Sequence, residues 1–170
     1  AYEISVCDGV QTCALPILEP GSPLHAAVRS RSDVFAMTEA THEAALRPRD
    51  LGGFSHAERA ALATRIARLN EDDELAAHYA AMLEALSPDE ATASIADPGY
   101  SGDAWSRIGA VLTFTDLVTM NPKDTKPDDI AALQAAGVSD ADIVRLAELN
   151  AFLAYQARLL AGLRLMRRAA

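Results

Sequence analysis

The sequence predicts an all-α fold, on three observations. Ala and Leu dominate a chain that is 50% hydrophobic but only 5% aromatic, a composition that favours packed helices over a sheet. Capping signals recur ahead of stretches whose apolar residues fall at helical spacing. No stretch alternates with period two, and no Asn-Gly hairpin occurs. The 170 residues suit one domain with a sizeable core.

The first eighteen residues stand outside this pattern. The segment GVQTCALPI, Gly9 to Ile17, is the translation of a stretch of the sequencing adapter used in common short-read libraries. Residues 1–18 are therefore expected to be read-through and residues 19–170 to form the single domain. Resequencing the locus checks this, and native codons there would overturn it. Cys7 and Cys13, the two cysteines of the chain, both lie in that segment and have no His or Cys at metal spacing. Without it the chain has neither a thiol nor a disulfide.

The helices follow in order. Ser22-Pro23 offers an N-cap with proline at the first helical position, opening a short helix that ends near Arg31. Ser32 or Asp33 caps a second, whose expected buried face is Val34, Met37, Thr41, Ala44 and Ala45, and which Arg47-Pro48 ends. Ser55 and Glu58 form a capping box for a third, with Ala61, Leu62, Ile66 and Leu69 on one side and Arg59, Arg65 and Arg68 largely on others. After Asn70, the acidic run from Glu71 to Glu74 occupies the first turn of a fourth helix, where the helix dipole favours negative charge. Leu75, His78, Tyr79, Met82, Leu83 and Leu86 continue it at helical spacing.

Ser87-Pro88-Asp89-Glu90 reads as a further capping box, and Ile95 to Ser101, with Pro98 and Gly99, as a break and a subdomain joint. From Asp103 to Met120 the chain is apolar on more than one face through Trp105, Ile108, Val111, Leu112, Phe114 and Val118, which predicts a buried or interfacial helix ended by Asn121-Pro122. Thr125 and Asp128 cap a short helix closed by Gly137, and Ser139 with Asp142 caps the longest and last. The segments SHAERAALATRIARLN and SDADIVRLAELNAFLA echo one another, but capping boxes are too common for this to indicate duplication.

The net charge of −9 and pI near 4.8 argue against a nucleic-acid partner, because phosphate contacts need clustered Lys and Arg. No apolar run approaches the roughly 20 residues that span a bilayer, so no membrane role is expected and the chain is placed in the cytoplasm. Arg164, Arg167 and Arg168 complement the negative end of the last helix.

The hairpin SHAERAALATRIARLNEDDELAAHY, Ser55 to Tyr79, resembles the core of the carboxymuconolactone decarboxylase and alkylhydroperoxidase (AhpD-like) superfamily. The C-terminal half, LTFTDLVTMNPKDTKPDDIAALQAAGVSDADIVRLAELNAFLAYQARLLAGL, resembles the tail of its peroxidase-related branch. The resemblance spans about Ser22 to Leu163 and implies an AhpD-like helical bundle that oligomerises through helix packing, with a homo-oligomer or a cysteine-bearing paralogue as partner. In family members a Cys-x-x-Cys precedes the histidine and reduces hydroperoxides. Counting back from His78 puts those thiols on Glu71 and Glu74; counting forward from Ser55 puts them on Asp72 and Leu75, and neither register finds a sulfur.

Thiol peroxidase chemistry therefore has no nucleophile here. The superfamily's decarboxylation needs acid and base groups and no cysteine. The expected catalytic set is His78 as base or acid with Glu74, one helical turn away, and Glu58, the carboxylate nearest the family's proton-handling position, Ala60. Each residue also has a structural reading: Glu58 as capping-box partner, Glu74 as a solvated first-turn charge, and His78 as a hydrogen-bonded helix-face residue. The substrate expected is small and carboxylated or lactone-like; the alternative is a non-catalytic scaffold subunit. No cofactor is expected, and no metal, since Glu74 and His78 find no third ligand among His25, His42 and His56. Tyr155 and Arg158 either line the pocket or make interhelical bonds.

Overall fold

Ser22 accepts a hydrogen bond from the His25 amide and Pro23 opens the first helix of the described residues, as its sequence signals require. The computed structural model describes residues 21–103 and 105–169; the expected read-through segment lies outside the described residues. The helices are α1 (Pro23–Arg29), α2 (Ser32–Leu46), α3 (His56–Leu69), α4 (Asp73–Ala85), α5 (Glu90–Ser94), α6 (Arg107–Met120), α7 (Pro127–Ala135) and α8 (Asp140–Ala169), with a 3₁₀ turn at Pro122–Asp124. Among the described residues there is no strand, so the all-α expectation is borne out. No helix among the described residues is long and apolar enough to cross a membrane.

The bundle is organised around α3, which packs against α2, α4, α5, α6 and α8. Ser55 accepts from the Glu58 amide and Glu58 accepts from the Ser55 amide, closing the expected capping box. Beyond it, every residue from Arg59 to Ala67 is buried. The single buried face anticipated for this helix is thus corrected to burial all round, and Leu69 lies at the edge of the core. Two arginines make that possible. Arg59 donates to the carbonyls of Ala45, Leu51 and Phe54, and Arg65 forks onto Asp116 at 2.6 Å through each of two nitrogens while also serving the carbonyls of Ile95, Pro98 and Tyr100. A buried guanidinium with its donors filled carries its charge inward at tolerable cost.

The same contacts change the reading of the break at Ile95–Ser101. Arg65 binds its carbonyls from one side and Arg68 binds Ala96 at 2.8 Å, so the segment is fastened to α3 and is no joint between subdomains. At the other end of α3, Asp142 accepts from the Gly53 amide at 2.8 Å and pairs with Arg145, tying the loop before α3 to the start of α8. Gly52 (φ 57°) and Gly53 face Asp142 and Arg145 so closely that a Cβ at either position would clash.

Three element details differ from the sequence expectation. The buried face of α2 is Phe35, Thr38, His42, Ala45 and Leu46, so of the predicted stripe only Ala45 is in the core and Met37 is 62% exposed. The stripe one position round from the true face is nearly as apolar, and periodicity alone does not separate the two. Asp89, not Ser87, caps α5, because Ser87 has φ 50° and closes the preceding turn. Lys126 rather than Thr125 stands at the N-cap of α7, its amide held by Asp129 at 2.7 Å. Gly137 ends α7 at φ 83° and Ser139 caps α8 through the Asp142 amide, both as expected. Trp105 precedes α6 and is 93% exposed, while Val111, Leu112 and Phe114 enter the core.

Candidate functional site

The turn between α3 and α4, with the start of α4, carries Glu71, Asp72, Glu74 and Leu75, the positions to which the sequence resemblance assigns a family cysteine pair. Glu71 takes a positive φ of 56° to make the turn, and Asp72 caps α4 by accepting from the Leu75 amide at 3.1 Å. Arg164 reaches across from α8, donating to both oxygens of Asp72 at 2.6 and 2.9 Å and to Glu74 at 3.0 Å. Burial pushes the Asp72 carboxyl up, but the Arg164 and Leu75 donors outweigh it and hold it below the usual carboxylate value. Asp72 is therefore held ionised, and Arg164 offsets one of the two negative charges it contacts. A cleft of about 480 Å³ opens here, lined by Asn70, the acidic turn, Arg158 and Arg164.

One turn further along α4, His78 is half-buried, with Nε2 enclosed and without a hydrogen-bond partner. Its ring meets Tyr79 edge-on at 5.0 Å between centroids. Tyr79 is fully buried and donates to Gln156 Oε1 on α8 at 2.6 Å, which fixes α4 against that helix. Burial, and secondly the nearby His42, lower the His78 pKa below 6.5, so its neutral form is the one present at pH 7.

His42 is the residue the sequence reading passed over. It projects from α2, fully buried, between Tyr79 (stacked, 6.3 Å) and Phe152 (edge-on, 5.7 Å), and neither ring nitrogen has a hydrogen-bond partner. Burial is the largest cause that lowers its pKa, against the raising influence of Glu39 and Glu43. The signal that locates it is its position at i+4 from Thr38 and i−4 from Leu46, on the stripe that α2 buries.

Of the expected catalytic set, the structure puts Glu74 and His78 on one helix and Glu58 elsewhere. Glu58 lies eleven residues before the end of α3, about 16 Å along the axis from the α3–α4 turn, where it closes its capping box and pairs with Arg107 at 3.2 Å. Glu74 turns toward Arg164 at the rim. Tyr155 donates to Thr38 at 3.0 Å, since the Thr38 proton is committed to Val34, and so makes the interhelical bond. Arg158 donates to the Ala154 carbonyl and, with Asn70, borders both the cleft at the turn and a second one of about 260 Å³, in which Thr119 Oγ1 and Asn150 Oδ1 are buried without partners.

No protein-family model matches this chain, and no curated protein matches it significantly. Among solved structures, an uncharacterized peroxidase-related protein from Silicibacter sp. TM1040 superposes with a TM-score of 0.66 over 87% of this chain and 86% of its own, at 16% sequence identity. The fold is shared with a peroxidase-related protein. At that identity the likeness carries the fold alone and leaves the chemistry to be argued from the residues.

Proposed function

We propose that the protein is an AhpD-like scaffold lacking the dithiol that performs acid–base chemistry on a small carboxylated or lactone-like substrate, with His78 as the proton-transferring group. The observation that carries this reading is the neutral, half-buried imidazole of His78 with an enclosed, unpartnered Nε2. A buried polar atom without a partner is uncommon and marks a site where a ligand or proton is expected. Glu74 at the rim, one turn before His78, orients or relays protons, and Glu58 supports the start of α3. Arg158 has no carboxylate partner among the described residues and borders both clefts, which suits it to a substrate carboxylate. The cleft at the α3–α4 turn, lined by Glu74 and Arg158 with His78 one turn beyond its lining, has a volume in the range of small-ligand sites.

His78→Ala is expected to keep the helical circular dichroism and lose turnover of a carboxylated lactone; unchanged turnover in that variant would move the chemistry to another site. A second reading, a non-catalytic subunit that assembles with itself or with a cysteine-bearing paralogue, is supported by an apolar groove of about 720 Å³ between α2 and α8, where Met37, Thr41, Ala44, Ala151 and Tyr155 lie open. Under either reading this groove is the surface through which the chain oligomerises, and the compartment proposed is the cytoplasm.

A further inference from the structure

We infer that α2 carries a site for a divalent first-row transition cation, formed by Glu39, His42 and Glu43. The inference is independent of the acid–base reading of His78. Glu39, His42 and Glu43 stand at i, i+3 and i+4, so all three project from one side of the helix, and one ligand atom of each lies within 4.8 Å of the others. His42 Nδ1 is 3.6 Å from Glu43 Oε1. Bonds of about 2.1 Å to a tetrahedral ion separate ligand atoms by about 3.4 Å, so the His–Glu pair is already close to ligand spacing and the third arm closes by carboxylate rotation.

The second observation is the imidazole itself. Its side chain is wholly buried, its orientation is set by Tyr79 and Phe152, and both ring nitrogens lack hydrogen-bond partners. A fixed, neutral imidazole facing two half-buried carboxylates has the donor set of nitrogen and oxygen preferred by zinc, manganese or ferrous iron, with coordination positions left for water. Glu43 is also paired with Arg47 one turn on. A bound cation must compete with that guanidinium, which gives the proposal a readout of opposite sign.

The test is calorimetric titration of Zn²⁺ into the metal-free full-length chain, with the melting temperature followed in parallel. One equivalent is expected to bind and to raise the melting temperature. Glu39→Gln and Glu43→Gln, at helix positions that tolerate the amide, are each expected to weaken binding at least about tenfold, and His42→Gln by more. Arg47→Ala is expected to bind as tightly as the parent or more so. Absence of binding at millimolar Zn²⁺, or a stoichiometry and affinity unchanged in Glu39→Gln and Glu43→Gln, would overturn the assignment.

Discussion

His42 and His78 are held neutral chiefly by burial, and that has a measurable consequence. A histidine whose pKa is lowered on folding binds fewer protons folded than unfolded between its depressed value and the ordinary 6.5. Stability is then complete above about pH 6.5, falls as the pH drops below it, and levels off once the folded-state pKa has been passed. Urea midpoints measured from pH 8 to pH 5 should show this decline, and His42→Leu should flatten it; an unchanged slope in that variant would remove His42 from the account. Arg65 is the other residue on which much rests. Arg65→Ala leaves several enclosed loop carbonyls without a donor and Asp116, itself 35% exposed, without its partner, and is expected to cost about 2–3 kcal/mol by denaturant unfolding. A cost below about 1 kcal/mol would mean that the loop at Ile95–Ser101 is held by other contacts.

At the scale of the element, caps and turns were more legible than faces. The capping box at Ser55, the N-cap at Ser139, the proline start of α1 and the glycine stop of α7 each rest on a local hydrogen bond or dihedral, and the structure has all four. Ser55→Ala should accordingly lower stability by about 1 kcal/mol in chemical denaturation, leaving the helix content intact. Faces depend on what a helix packs against. On α2 two neighbouring stripes are similarly apolar, and on α3 the arginines that look solvent-facing are buried because loop carbonyls distant in sequence converge on them. The candidate site was half legible for the same reason. Glu74 and His78 share a helix and could be paired by counting, whereas His42 reaches Tyr79 from another helix and Arg164 reaches Asp72 across ninety-two residues of sequence.

For the molecule as a whole, the hairpin of α3 and α4, embraced by α2 and the thirty-residue α8, presents two surfaces with distinct proposed roles. The groove between α2 and α8 is apolar and open, and Met37→Glu placed in it is expected to shift light-scattering masses toward the single chain; a monomeric parent would contradict the proposed assembly. The cleft at the α3–α4 turn is polar, with Arg164 bridging Asp72 and Glu74, and includes positions to which the sequence resemblance assigns a cysteine pair. His78, the proposed proton-transferring group, lies one turn further along α4 and outside the lining of this cleft. The most direct test is the rate of carboxylated-lactone turnover by the full chain after complete thiol alkylation, measured from pH 5 to pH 8. Turnover should survive alkylation and fall toward acid pH through a single ionisation below 6.5, the protonation of His78. Turnover that disappears on alkylation would return the chemistry to a cysteine and contradict the account.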